Sequence, residues 1–180
     1  MKPYPPRASK CAVLEDQRLD SAVHDCADFD CGVKSLNDYL TRYARQDRRR
    51  NLSQIYVLVE TKNSSSILGY YTLSAAQAGT EQLDQQDRRR LPGYPIPCFR
   101  MGRFAVRQDV QGRGIAKLLL GCAVDRCLQA SREVAAYALI VDAKDATARS
   151  FYERFGFVRF ADTPSSLYLA LSKPDSVLYK

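Results

Sequence analysis

Two stretches of this chain have residue types and spacing that could do chemistry: Gln111-Gly112-Arg113-Gly114-Ile115-Ala116 and Phe151-Tyr152-Glu153-Arg154-Phe155-Gly156-Phe157. The first follows an apolar run ending in Val106 and precedes a helical pattern. It reads as strand end, glycine-bearing turn and helix start. Such a turn aims several backbone N–H groups at one point, and the positive end of the helix dipole adds to them; together they bind a phosphate or pyrophosphate. It is not the phosphate loop that ends in Gly-Lys-Ser/Thr, because Ile115 follows Gly114, and it lacks Gly-x-Gly-x-x-Gly spacing. Taken alone, it could equally be an ordinary tight turn. The second stretch places Tyr152 near the end of a short helix, just before an aromatic–glycine–aromatic turn. A phenol with a reference pKa of about 10 is protonated at neutral pH and could serve as a general acid. A packing role among Phe151, Phe155 and Phe157 is the alternative.

The elements that must hold these groups follow from periodicity and punctuation. Residues 1–10 are proline-rich and read as irregular, and residues 11–34 carry mixed signals. From Ser35, the residues Leu36, Tyr39, Leu40, Tyr43 and Ala44 form one helical stripe, with Arg42, Arg45 and Arg49 on the opposite side. Ser35 is the expected cap, with Asp38 completing a weak capping box. Residues 54–60 read as a strand, 62–66 as a turn and 67–73 as a second strand, hence a hairpin. Residues 75–97 read as a long polar connection, uncommon unless functional. Then follow a strand over 99–106, the glycine turn, a helix over 115–130, a strand over 134–141, a helix over 145–155 and strands over 157–160 and 167–171. The expected class is α/β: a mixed central sheet flanked by helices, with a crossover around the glycine turn. At 180 residues the default is a single domain, residues 1–180.

Composition narrows the classes. The chain is 46% hydrophobic, and no apolar run approaches the roughly 20 residues that span a bilayer. The N-terminus, Met1-Lys2-Pro3-Tyr4-Pro5-Pro6-Arg7, is not followed by the apolar segment of a signal peptide, so a cytoplasmic location with no membrane partner is expected. The six cysteines lack two-residue spacing and His24 is the only histidine, so no metal is expected. The cysteines read as small buried hydrophobes, although their even count permits disulfides. His24 reads as an exposed loop residue. The net charge is +7, and two arginine triplets, Arg48-Arg49-Arg50 and Arg88-Arg89-Arg90, flank predicted element boundaries. Either could be a solvated surface; two in a small basic protein point toward a phosphate-bearing partner.

Gln111-x-x-Gly114-x-Ala116 followed by Phe151-Tyr152-x-x-x-Gly156-Phe157 resembles the GNAT superfamily of acetyl-CoA-dependent N-acetyltransferases. The resemblance covers roughly residues 30–171 and implies the GNAT fold. It implies that Gln111, Gly112, Arg113, Gly114, Ile115 and Ala116 hold the pyrophosphate, with Arg113 able to add a cation. It implies that Phe104, Ala105 and Val106 pair with the pantetheine arm through their backbones, one main-chain N–H polarising the thioester oxygen. Tyr152 would protonate the departing thiolate. Asp142, where related enzymes often have Asn, could orient cofactor or substrate. No general base stands out among Glu60, Glu81 and Asp142.

A narrower likeness lies in Phe29-Asp30-Cys31-Gly32 and Leu36-Asn37-Asp38-Tyr39-Leu40. Gly69-Tyr70-Tyr71-Thr72-Leu73-Ser74, Pro95-Ile96-Pro97 and Met101-Gly102-Arg103-Phe104-Ala105-Val106 extend it. These motifs resemble bacterial GNAT toxins. That resemblance implies acetylation of the α-amine of aminoacyl-tRNA, arrest of translation, a homodimer and a ribbon-helix-helix antitoxin. Arg48, Arg49, Arg50, Arg88, Arg89 and Arg90 would then contact tRNA phosphates. A GNAT enzyme for a protein or small-molecule amine, and a non-catalytic acyl-CoA-binding module, remain open on the residues alone.

Overall fold

The computed structural model describes residues 13–171. Seven strands form one sheet in the order β1-β2-β3-β4-β5-β7-β6. The strands are β1 (Leu14–Arg18), β2 (Gln54–Glu60), β3 (Asn63–Ala78), β4 (Ile96–Val106), β5 (Ala138–Asp142), β6 (Val158–Arg159) and β7 (Ser166–Ala170). Neighbours run antiparallel except β4 and β5, which are parallel and joined by helix α4 (Ile115–Glu133). Helix α5 (Ala146–Arg154) links β5 to β6. This is the expected mixed sheet with flanking helices.

Strand β2 needs little explanation: Ile55, Val57 and Val59 face one side and Tyr56 and Leu58 the other, and all five are buried. A strand covered on both faces reads as an unbroken apolar run. On one face Tyr71, Leu73, Met101 and Val106 pack under α4 and α5 through Leu119, Leu120, Val124 and Tyr152. The other face, with Val57, Val59, Tyr70 and Ala105, is covered by Phe29, Tyr39, Leu40 and Ala44. Arg126 fastens α4 to the sheet. Its guanidinium lies 3.8 Å from the Tyr56 ring centre, donates to Tyr71 Oη at 3.0 Å and pairs with Asp16 on β1.

Several expectations are corrected. The first helix is α1 (Lys34–Asp38), and the residue before it is Val33, so Ser35 lies inside the helix and makes no cap. A π-helical turn, Tyr39–Tyr43, follows before α2 (Ala44–Arg49). The wider turn brings Ala44 N–H onto Tyr39 O and buries Ala44 completely, while Tyr43 is left 52% exposed instead of joining the stripe. Strand β3 begins at Asn63 and runs to Ala78, so the predicted turn and the start of the polar connection belong to the sheet. The remaining connection carries a 3₁₀ turn, Thr80–Gln82, and α3 (Gln85–Arg88), capped by Asp84 accepting from Asp87 N–H. Val134 is 72% exposed and precedes β5. His24 is buried, not exposed: its Nδ1 accepts from Asp20 N–H at 2.8 Å and its Nε2 meets Gln17 Oε1 at 3.2 Å. Cys31, Cys98 and Cys127 are buried, Cys26 and Cys122 half-buried, and all five are free thiols. Cys11 and the proline-rich residues 1–10 lie outside the described residues.

Candidate active site

The site begins where two parallel strands part. Pairing of β4 with β5 ends at Met101↔Val141. Strand β5 continues only to Asp142, while β4 runs on to Val106 along β3. The register of β3 against β4 slips between Thr72 and Leu73, which makes Gly102 the extra residue of a bulge. Beyond the bulge, β4 has β3 on one edge and no strand on the other. An unpaired strand edge offers its backbone N–H and C=O groups to an extended ligand.

At the end of β4 comes the glycine turn. A 3₁₀ turn, Gln108–Val110, leads into Gly112 at φ +74° and Gly114 at φ +82°, and α4 starts at Ile115. Both glycines adopt the left-handed region that side chains disfavour. No side chain caps α4, so its first N–H groups have no acceptor within the helix. A Cβ built on either glycine meets nothing within 4 Å, so the space above the turn is open. The residues present fit a pyrophosphate: free N–H donors, a helix N-terminus and no side chain over them.

The strand edge and the turn open into one cleft of about 590 Å³. Phe104, Ala105, Val106, Gln111 and Ala116 line its cofactor end, and Asp142, Phe151 and Tyr152 line its far wall. Leu36 of α1 and Arg103 of β4 reach it from the opposite face of the sheet.

Tyr152 lies on α5 and is held by three aromatic rings: Phe151 and Phe157 at 5.4 Å and Phe104 at 6.3 Å. Tyr152 is 7% exposed, and among the described residues its hydroxyl makes no hydrogen bond. Burial, with the Asp142 charge adding to it, pushes the phenol well above its ordinary range, so the proton stays on oxygen. A buried ring with a protonated, unengaged hydroxyl at a cleft wall can deliver a proton to a group inside.

An unpaired parallel strand edge, a glycine turn opening a helix and a cleft tyrosine are the geometry of one enzyme family. The acetyltransferase (GNAT) domain family matches residues 36–166. This chain belongs to the GNAT acetyltransferase family. Among its relatives, a protein of Mycobacterium tuberculosis named tRNA-acetylating toxin is 31% identical over 154 residues, covering 86% of this chain and 90% of that protein. The toxin AtaT complexed with acetyl-methionyl-tRNAfMet superposes with a TM-score of 0.82 at 28% identity, covering 88% of this chain and 95% of AtaT. A mutant AtaT bound to the C-terminus of the antitoxin AtaR and acetyl-CoA gives a TM-score of 0.74 at 26% identity, covering 88% and 93%.

Within this GNAT domain the remaining predicted residues are scattered more widely. The Gln111 side chain bridges two carbonyls: its Nε2 donates to Val106 O at 2.9 Å and Cys31 O at 3.2 Å. Arg113 is exposed beside the glycines. Asp142 accepts from Ser166 Oγ at 2.5 Å and pairs with Arg100, so both carboxylate oxygens are engaged. Arg48 donates to Leu19 O, whereas Arg49 and Arg50 join Arg42, Arg45 and Gln46 around a polar groove on α2. Arg88, Arg89 and Arg90 are exposed at the end of α3 and just beyond it. The two triplets sit at different levels of the sheet. The first precedes Gln54, which pairs with Leu73, itself opposite Met101 where the cleft opens. The second follows Ala78, opposite Ile96 at the far end of β4.

Sequence reading missed Leu36, Arg100, Arg103 and Lys144 as groups at or beside the cleft. Arg103 stacks 3.6 Å from the Tyr39 ring centre, and Lys144 lines the cleft beyond Asp142. The bulge at Gly102 hid the two arginines: regular alternation would send Arg100 and Arg103 to opposite faces, whereas the extra residue sets them opposite Ser74 and Thr72 on one face.

Proposed function

We propose that this GNAT enzyme transfers an acetyl group from acetyl-CoA to the α-amine of aminoacyl-tRNA and thereby acts as a translation-blocking toxin. The observation that carries it is the convergence in one cleft of the unpaired edge of β4, the open glycine turn and the free hydroxyl of Tyr152, with arginines on the acceptor face. A relative named tRNA-acetylating toxin and a neighbour complexed with acetyl-methionyl-tRNAfMet support the choice of amine.

The roles follow from position. The N–H groups of the turn from Gly112 to Ala116 hold the pyrophosphate, and Arg113 adds positive charge. The backbone of Phe104, Ala105 and Val106 binds the pantetheine arm as a further strand would. When bound, acetyl-CoA supplies a thioester whose acyl carbon an amine can attack, with a thiolate as the leaving group. Tyr152 Oη gives its proton to that sulfur as the C–S bond breaks, and the proton the amine nitrogen sheds as the C–N bond forms restores the phenol. Its raised pKa keeps the proton on oxygen across the neutral range. The Phe104, Phe151 and Phe157 rings exclude water and fix the direction of the hydroxyl. Asp142 holds Arg100 beside the cleft. The α-amine of an amino-acid ester is weakly basic because the ester withdraws electrons, so it reaches the site neutral with little help from a base. Arg49 and Arg50 of the α2 groove, and Arg88, Arg89 and Arg90, meet tRNA phosphates. Arg48 keeps a structural bond to Leu19 as well.

The same reading assigns a cytoplasmic location, a homodimer and neutralisation by a ribbon-helix-helix antitoxin. A neighbour bound to the C-terminus of an antitoxin supports an antitoxin partner. No helix among the described residues is long and apolar enough to cross a membrane. In a cell-free translation extract, the protein with acetyl-CoA should stop synthesis, and freshly charged tRNA added once the enzyme has been removed should restore it. Synthesis that stays blocked after such addition, in extract cleared of the enzyme, would place the target elsewhere.

A further inference from the structure

The Asp30–Asn37 segment is tied to the glycine turn by a dense set of hydrogen bonds that the acetyl-transfer reading does not use. Asn37 Oδ1 accepts from Cys31 N–H at 3.0 Å and from Cys31 Sγ at 3.1 Å. Asn37 Nδ2 donates to Asp30 Oδ1 at 2.7 Å, where Gly32 N–H also donates at 2.8 Å. These two donors hold the Asp30 carboxyl below its ordinary range. The Asp30 carbonyl accepts from Gln108 N–H at 2.8 Å. Gln111 Nε2 then bridges the Cys31 and Val106 carbonyls. Both partners of that nitrogen are acceptors, which fixes the amide orientation. Tyr70 Oη holds the other end of the segment, donating to Leu36 O at 2.8 Å. Leu36 is the α1 residue that lines the cleft.

We infer that Gln111 is a positioning residue for the amine side of the reaction. Its side chain bolts the Asp30–Asn37 segment, and through it Leu36 and α1, to the mouth of the pyrophosphate turn. It does not act as a phosphate ligand, because its donors are spent on the Cys31 and Val106 carbonyls. Asn37 is the second bolt of the same clamp: it closes the Asp30–Cys31–Gly32 turn whose carbonyl Gln111 grips. The segment therefore couples the cofactor turn to the wall against which an incoming amine is placed. A shift of this wall of about an ångström is enough to misplace a nucleophile by a catalytically costly amount.

The test compares wild type with Gln111→Met, Gln111→Arg, Asn37→Leu and the Gln111→Met/Asn37→Leu double variant. Met keeps the volume and removes the donors; Arg keeps donors that can bridge two carbonyls. Acetyl-CoA affinity is measured by calorimetry, and steady-state kinetics are run with charged tRNA. Gln111→Met should leave the acetyl-CoA Kd within about threefold and lower kcat/KM for the amine by roughly 10- to 100-fold, the loss of one or two hydrogen bonds. Gln111→Arg should recover most of it. The double variant should be no worse than the poorer single, because both break one clamp. A tenfold weaker acetyl-CoA Kd with unchanged amine kinetics would make Gln111 a cofactor ligand and overturn the inference, as would additive losses in the double variant.

The inference uses the aminoacyl-tRNA reading only for its choice of amine. If wild type acetylates a different amine, that reading falls and the same comparison is made with the amine found. Hydrogen exchange needs no amine at all. Amides of residues 31–37 should exchange faster in Gln111→Met while α4 stays protected; unchanged exchange over 31–37 would overturn the clamp.

Discussion

The Tyr152 hydroxyl and the Asp142 carboxylate share one cleft, and the charge of Asp142 adds to burial in holding the phenol above its ordinary range. The pair thus separates two jobs. Tyr152 keeps a proton ready, and Asp142 stays occupied with Arg100 and Ser166.

Replacing Tyr152 by Phe removes one hydroxyl and keeps the ring among Phe104, Phe151 and Phe157. Turnover should fall roughly 10²- to 10⁴-fold, the usual worth of a general acid, with the melting temperature and acetyl-CoA affinity retained. Equal single-turnover rates for the two proteins would leave Tyr152 a packing residue.

The direction of the Tyr152 shift also sets a pH profile. Its ordinary value is 10.0 and burial raises it, so the acid form persists throughout the neutral and mildly alkaline range. The rate of acetyl transfer should show no descending limb below pH of about 9.5. A loss of rate centred near pH 8 that disappears in Tyr152→Phe would contradict this assignment.

Gly114→Val tests the turn. At φ +82° a β-branched residue is strained by about 1–2 kcal/mol, although no protein atom lies within 4 Å of its Cβ. The variant should fold with a modestly lower Tm, yet lose acetyl-CoA binding because its side chain fills the open space above the N–H groups. Unchanged affinity in calorimetry would remove the turn from the cofactor site.

His24 makes stability depend on pH. Burial lowers its pKa below 6.5, against opposing contributions from Asp20, and its neutral Nδ1 accepts the Asp20 N–H. The unfolded chain therefore takes up a proton more readily than the native one as pH falls. The His24 contribution is fully present above pH of about 6.5 and is lost as pH drops through the lowered native value. The urea midpoint of wild type should fall between pH 7.5 and pH 5 more steeply than that of His24→Gln. A His24-dependent rise in stability on acidification would refute the buried neutral state.

Phosphate binding by the α2 groove predicts a salt effect. Arg45, Arg49 and Arg50 surround it with no ion pair to an acidic group among the described residues. Changing the three to Ala should weaken tRNA binding and flatten the slope of log K against log salt by roughly 0.7–0.9 for each phosphate no longer neutralised. An unaltered slope would place the tRNA on another surface.

Much of this architecture was legible in the sequence because its signals were local. Strand β2 falls where its apolar run placed it, from Gln54 to Glu60, and α4 starts at Ile115, immediately after the glycines. Tyr152 lies on a helix just before Gly156, where its spacing placed it. What was missed depends on partners distant in sequence. Strand β1, Leu-Glu-Asp-Gln-Arg, has almost no strand composition; it is an edge strand, ordered by β2 and by Asp16 pairing with Arg126. Ser64, Ser65 and Ser66 read as a turn yet lie in β3, and Ala75 to Ala78 are extended because β4 pairs with them. His24 read as exposed because its partners, Asp20 and Gln17, are common loop residues. In the site, Arg103 was hidden by the bulge at Gly102, and Leu36, read as part of a buried stripe, reaches the cleft only because α1 packs beside β4.

The central claim meets its most direct test in one incubation. Purified protein, labelled acetyl-CoA and a pool of charged tRNAs are combined, and the tRNA is recovered and deacylated. The label should appear as an N-acetyl-amino acid released from tRNA, in wild type and not in Tyr152→Phe. Label absent from every aminoacyl-tRNA, but present in a peptide or small amine offered in parallel, would contradict the account and make the chain a GNAT acetyltransferase of another substrate class.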